Sequence, residues 1–171
     1  MGVVGNRCQK RAELPALTTL QMEIAVAKCL KFVRNIVVPC VGFGWGIHEC
    51  DLLMVNEAGY CTEVEIKISK SDFIADGRKQ HQHIDKLDRI KNFYFAVPVE
   101  LLDFALDNVP DRAGIIIVTR DMQCRVLKAC TPLKTARKVT TEEQLKLAHL
   151  GAMRIWGLKQ KIADIGVARG C

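Results

Sequence analysis

Residues 49–73 read ECDLLMVNEAGYCTEVEIKISKSDF, two apolar runs of strand type joined by a glycine-containing turn. Acids sit inside those runs: Asp51 in the first, Glu63 and Glu65 in the second, with Lys67 two places on. Burying a carboxylate in a strand is costly unless it is paired or holds a metal. The spacing predicts a hairpin with a three-residue loop, Glu57-Ala58-Gly59, in which Gly59 takes the left-handed position. Asn56 then closes against Tyr60, Val55 meets Cys61, Leu53 meets Glu63, and Asp51 meets Glu65. Side chains alternate along a strand, so this register puts Asp51, Glu63, Glu65 and Lys67 on one face. Directly opposed Cβ atoms stand roughly 4.5–5.5 Å apart. Two carboxylates that close raise one another's pKa, and a divalent cation relieves the repulsion. Mg²⁺ suits one or two carboxylates plus water and substrate phosphate. Lys67 beside them can steady an attacking water. The competing readings are exposed edge acids, or a plain salt bridge to Lys67. A register slip of one residue would also send Asp51 to the other face.

Upstream, Thr18 and Gln21 have capping-box spacing, and a helix is expected from there to about Arg34. Met22, Val26, Cys29 and Val33 form its apolar stripe. Glu23 is an acid among apolar residues. Its spacing with Leu20, Ala27 and Leu30 turns it toward the core; otherwise it is an edge acid favoured by the helix dipole. Residues 41–56 read as a glycine-kinked approach into the first hairpin strand. Downstream, residues 69–92 read as a helix capped by Ser71 or Asp72, with Ile84, Leu87 and Ile90 facing inward and Gly77 weakening it. NFYFAVP is a third strand, VELLDFAL a short helix, IIIVT a buried strand and RVLKA an edge strand. Thr140 and Glu143 form a second capping box, opening a helix toward Leu150 or Lys161. The order α-β-β-α-β-α-β-β-α implies a mixed sheet flanked by helices.

The chain has 171 residues, 49% hydrophobic and 26% charged, with a net charge of +6, which fits one globular domain. Six basic and seven acidic groups leave residues 1–65 at −1, whereas residues 66–94 carry +3 and residues 112–138 carry +6. An acidic pocket with a basic surround suits a metal site acting on a phosphate polyanion; a solvated surface with no partner is the alternative. No apolar stretch approaches the roughly 20 residues that span a bilayer, and no secretory signal pattern is expected in the first residues. Eight cysteines show no CxxC spacing and read as reduced thiols, several of them core fillers. A zinc set of His48, Cys50, His81 and His83 matches no zinc spacing. Trp45, in GFGWG, reads as a core tryptophan beside a glycine kink rather than as a stacking platform for a base.

Glu23 on a first helix, Asp51 on one strand, and Glu65-Ile66-Lys67 on the next together resemble the PD-(D/E)XK, or restriction-endonuclease-like, nuclease superfamily. The wording EVEIKISKSDFIAD, followed by a Lys/His-rich segment and FYFAVP…VPDRAGIIIV, resembles its small bacterial and phage members, including the MmcB-like proteins assigned to DNA repair. The resemblance covers residues 18–130. It leaves 1–17 as an N-terminal arm and 131–171 as a C-terminal helical extension. Cys50 stands where the superfamily usually has Pro. The resemblance implies an α/β restriction-endonuclease-like core and a metal-dependent DNA nuclease, using Mg²⁺ or Mn²⁺ to hydrolyse phosphodiester bonds. Asp51 and Glu65 would hold the ion, with the Ile66 carbonyl and Glu23 as further donors, and Lys67 would orient the water. Ser69, Lys70, Arg78, Lys79, His81, His83 and Lys86 are candidates for DNA-backbone contacts. His81 can also assist catalysis. The expected partner is DNA and not a membrane, with a homodimer as an option, in the cytoplasm of a bacterium or a phage-infected host. The alternative is a nuclease-fold protein that binds DNA without cutting it.

Overall fold

The computed structural model describes residues 15–42, 45–75 and 88–169. The chain begins with helix α1 (Thr19–Cys29), whose N-cap is the expected box: Gln21 N–H donates to Thr18 Oγ1 at 3.3 Å, and Thr18 N–H donates to Gln21 Oε1 at 2.9 Å. α1 ends earlier than its apolar stripe suggested. Leu30 is the C-cap, Lys31 has φ +54°, and Val33 is exposed rather than part of the buried stripe. Met22, Ala25 and Val26 are its buried residues.

Six strands follow in a single mixed sheet whose spatial order equals chain order: β1 (Ile36–Val41), β2 (Cys50–Val55), β3 (Cys61–Ile66), β4 (Ile90–Pro98), β5 (Gly114–Val118) and β6 (Cys124–Lys128). β3, β4 and β5 run parallel; the remaining neighbours are antiparallel. β1 was not expected. It carries Pro39, which lacks a ladder donor and is tolerated because β1 lies at the sheet edge. The β2–β3 hairpin has the expected register, with Val55 opposite Cys61 and Leu53 opposite Glu63, and Gly59 has φ +84°. Residues 70–75 are helical (α2); Ser69 caps them by accepting the Asp72 N–H at 3.1 Å, in place of the Ser71 or Asp72 cap expected. Ile84 and Leu87 lie outside the described residues, and Ile90 opens β4 instead of closing that helix. A 3-10 turn (Val99–Leu101) leads into α3 (Leu102–Asn108). β5 is buried throughout, as its continuous apolar run requires. α4 (Thr141–Arg169) runs well past Lys161.

Both faces of the sheet are covered. On one, α1 packs Met22, Ala25 and Val26 over Leu52, Val64, Ile66, Ala96, Ile116 and Val118. Leu17, expected in the arm, joins this core. On the other, Trp45 and Leu147 of α4 cover Leu53, Val55 and Cys61, while Phe73 and Ala105 cover Phe93, Phe95, Ile115 and Ile117. Trp45 is a core residue: its Nε1–H donates to the Glu143 carbonyl at 2.8 Å, and Arg89 stacks over its ring. α4 thus serves the core through its first turns, whereas Ile155, Trp156, Leu158, Ile162 and Ile165 are exposed. No helix among the described residues is long and apolar enough to cross a membrane.

Candidate functional site

The site lies where β2 and β3 come apart. The β2–β3 ladder is paired from Val55↔Cys61 to Leu52↔Val64 and stops one step short of Asp51. On the other side, β1 pairs Pro39 with Leu52 and Val41 with Cys50, but skips the Cys40–Asp51 step, where Cys40 has φ +50°. Asp51 therefore occupies an opening in both ladders. Its Oδ2 accepts the Ile66 N–H at 2.7 Å, so a side chain takes up a β3 donor there. This bond sets the Asp51 carboxylate against the C-terminal end of β3, where Glu65, Ile66 and Lys67 follow one another.

Lys67 leaves the strand with its main chain still tied to the sheet, its N–H donating to the Ala96 carbonyl at 3.0 Å. Its side chain is only 7% exposed, and Nζ donates to Glu65 Oε2 at 3.1 Å. Glu65 is pushed up to about 7, first by burial and then by the Asp51 charge, with Lys67 pulling the other way. Glu23, half-buried on α1, is raised by its own desolvation and again by Asp51. Leu20, which shares its spacing, is exposed, so Glu23 stands at the margin of the α1 core and not inside it. Asp51 is thus the electrostatic link between a helix carboxylate and a strand carboxylate.

A second buried pair lies next to this one. Glu63 is 3% exposed and its Oε1 lies 2.7 Å from His48 Nε2. Sequence reasoning gave Glu63 no partner of its own. A signal was available: Glu63 opposite Leu53 is forced into the sheet interior, and His48 is a basic side chain on the approach to β2. His48 is engaged with Glu63, whereas the zinc set needed it beside Cys50 together with His81 and His83, which lie outside the described residues. Of the backbone-contact candidates, Ser69 caps α2 and Lys70 is exposed, its Nζ 5.4 Å from the Phe104 ring centroid. Arg78, Lys79, His81, His83 and Lys86 lie outside the described residues.

Among the described residues, no group of three or more His, Cys, Asp and Glu side chains is gathered closely enough to hold a metal by protein donors alone. Asp51 and Glu65 are the two carboxylates at the hairpin end, and Glu65 is raised first by burial and then by Asp51.

No known family model matches the chain, and no curated protein matches it. A solved structure does: the SPO1766 protein of unknown function from Silicibacter pomeroyi. It is 18% identical to this chain and superposes with a TM-score of 0.59, over 91% of this chain and 96% of that one. At that identity the likeness is one of fold alone.

Proposed function

We propose that the chain is a divalent-metal-dependent deoxyribonuclease with a restriction-endonuclease-like core, acting as an endonuclease in DNA repair, recombination or phage DNA processing. The observation that carries this reading is Lys67. A lysine held 7% exposed, 3.1 Å from a carboxylate that burial and Asp51 have raised, is expensive to keep unless its charge is used. Asp51 and Glu65 would hold Mg²⁺ or Mn²⁺, with the Ile66 carbonyl and Glu23 as further donors. Such an ion, when bound, supplies charge neutralisation at the scissile phosphate and a more acidic water.

The chain's own groups do the rest. The Ile66 N–H fixes the direction of the Asp51 carboxylate. Glu65 holds the Lys67 ammonium at the strand end, where it can orient a water or donate to a phosphate oxygen. Ser69 and Lys70 follow directly on this strand end and offer a hydroxyl and an ammonium to the DNA backbone. Arg78, Lys79, His81, His83 and Lys86 would extend that contact.

The test is cleavage of supercoiled plasmid and of defined single- and double-stranded DNA with Mg²⁺ or Mn²⁺. Lys67→Ala should lower the cutting rate by about 100-fold or more while the circular dichroism spectrum stays that of the wild type. Retained cutting removes Lys67 from the mechanism. Wild-type protein that binds DNA tightly in a salt-sensitive way, yet cuts with neither ion, would instead be a non-cleaving DNA-binding protein.

A further inference from the structure

Beyond Arg154 the last helix leaves the body of the protein. Up to that point α4 packs on β1. Leu147 is buried, a Cβ on Gly151 would meet Val38 Cγ2 at 3.2 Å, and Arg154 Nη2 donates to the Cys40 carbonyl at 2.7 Å. The line of Gly151 then continues along the helix as Ile155, Leu158, Ile162 and Ile165, which stand 57%, 57%, 69% and 54% exposed. Their spacing is that of the a and d positions of a heptad, so they form one stripe. We propose that this stripe is a homodimer interface, covered by the same stripe of a second copy of this chain lying antiparallel to it.

The overhanging part of α4 is poorly equipped to stay helical by itself. Gly157 sits inside it with nothing within 4 Å of where a Cβ would be, and Ile155, Ile162 and Ile165 are β-branched. A free helix of this length is marginal in water, so packing on the stripe is what sustains it.

The occupant follows from the pattern and from what lies at its root. Antiparallel pairing centred on residue 160 sets Ile155 against Ile165 of the second copy and Leu158 against Ile162 of the second copy. The two-fold axis repeats both layers, so each of the four side chains meets a large aliphatic partner and none is left over. In this register the last turn of one α4, which ends at Arg169, passes the root of the other, where a cavity of about 200 Å³ is lined by Val38, Val41, Leu150 and Arg154. The stripe offers several hundred Å² of contiguous apolar surface per copy, the size that marks interaction sites on monomers. Two stripes, with the flanking lysine stems and the cavity rim, approach the roughly 1,200 Å² at which specific interfaces begin. A membrane surface fits less well, because Met153 and Trp156 are exposed on the opposite side of α4, where an interfacial helix carries polar residues.

The flanks of the stripe give the dimer a salt signature. Arg154 and Lys161 lie along one side and Lys159 along the other. The two-fold axis brings Lys161 near its own copy, and Lys159 likewise, although Lys159 Nζ is drawn toward the Trp156 ring, 5.0 Å from its centroid. Screening that repulsion makes the dimer tighten as salt rises, whereas attachment to DNA or to anionic lipid weakens. The inference rests on α4 and is independent of the nuclease reading.

The experiment is sedimentation equilibrium of the full chain, without DNA or metal, over a range of concentrations at low and high salt. The expected result is a species of twice the 19.1 kDa chain mass whose dissociation constant falls as salt rises. An amine-reactive cross-linker should give a Lys161–Lys161 peptide, which only two copies can form. Ile162→Asp should weaken association by about 100-fold or more, since it sets a carboxylate against Leu158 of the second copy. Gly157→Ala, off the stripe, should keep the dimer or tighten it. The wild-type mass and cross-link need no variant to fold. A monomer at every concentration, a dimer whose cross-links exclude α4, a dimer that Ile162→Asp leaves as tight as wild type, or association seen only on anionic vesicles or DNA would each overturn the proposal.

Discussion

Replacing Glu65 with glutamine should flatten the pH dependence of stability in metal-free protein. In the folded chain Glu65 is pushed up to about 7, by burial and by Asp51, whereas an unfolded glutamate titrates near 4.5. The folded state therefore holds a proton on Glu65 through a window in which the unfolded chain has released it. Stability falls as pH rises through that window, by about 3 kcal/mol once pH 8 is reached. Other groups titrate too, so the quantity to measure is the difference between wild type and Glu65→Gln. Glutamine keeps the shape and removes the titration, so any constant cost from the lost Lys67 contact cancels when the difference is compared across pH. Urea unfolding in EDTA, followed by circular dichroism from pH 4.5 to 8, gives the curves. Wild type should lose about 3 kcal/mol relative to the variant over that range, equivalent to roughly 6–12 °C in Tm for a chain of this size. Saturating Mg²⁺ should restore much of the wild-type loss, because a ligand that binds the folded state stabilises it by mass action. Parallel curves for the two proteins would refute the reasoning: Glu65 would then titrate as it does unfolded, and the buried, charge-crowded hairpin end would be wrong.

Gly114→Ala tests the packing of β5 between its neighbours. A Cβ there would meet the Lys128 carbonyl oxygen at 2.7 Å and the Tyr94 ring at 2.3 Å, and backbone cannot swing aside as a side-chain tip can. The variant should lose roughly 2–4 kcal/mol in urea denaturation, and a loss below about 1 kcal/mol would contradict the close approach of β4, β5 and β6. Glu143→Ala tests the start of α4. Its carboxylate takes the Thr140 N–H at 2.8 Å and two Arg137 N–H groups at 2.9 and 2.7 Å. The half-exposed Arg137 discounts the ion pair, so a loss of roughly 1–2 kcal/mol is expected at pH 7. These partners hold Glu143 down to about 2, so its contribution is present above about pH 4.5 and disappears as pH falls through 2.

The hairpin was legible because its constraints agree. A glycine at the left-handed loop position, apolar runs on both sides and a period of two leave one register that buries Leu53 and Cys61 together, and the structure has that register. The two capping boxes were legible for a similar reason, each being a reciprocal pair fixed by a three-residue offset. β1 was not, because Ile36–Val41 contains a proline that argues against an interior strand, and only the tertiary structure reveals that this strand lies at an edge. The end of α1 was missed because periodicity continues through Val33, whereas Lys31 turns the chain with a positive φ that no residue type announces. At the site, sequence spacing named Asp51, Glu65 and Lys67. It did not show the gap in both ladders at Asp51, which depends on how three strands meet.

That gap is the strongest physical argument for function at this place. A sheet built for stability alone would continue both ladders through residue 51 and fill the position with an apolar side chain. Here the ladders skip it, an aspartate takes the Ile66 N–H, and its charge adds to burial in raising both Glu23 and Glu65. The neighbouring Glu63 shows what a stabilised buried acid looks like in the same hairpin, with its carboxylate 2.7 Å from an imidazole nitrogen. Glu65 also has a cationic neighbour in Lys67, yet it remains displaced to about 7, so one lysine does not offset burial and the Asp51 charge together. Local rules broken together at one spot, in a fold otherwise consistent with its sequence, are the pattern expected of a functional or strained site. The balance is completed by a cation in the metal-dependent reading, and Asp51→Asn provides the converse check. Removing that one charge should stabilise the metal-free protein at pH 8 and bring Glu65 back toward acid, while weakening Mn²⁺ binding measured by calorimetry. An Asp51→Asn protein that binds Mn²⁺ as tightly as wild type would exclude Asp51 as a ligand and leave the gap in the sheet without a purpose.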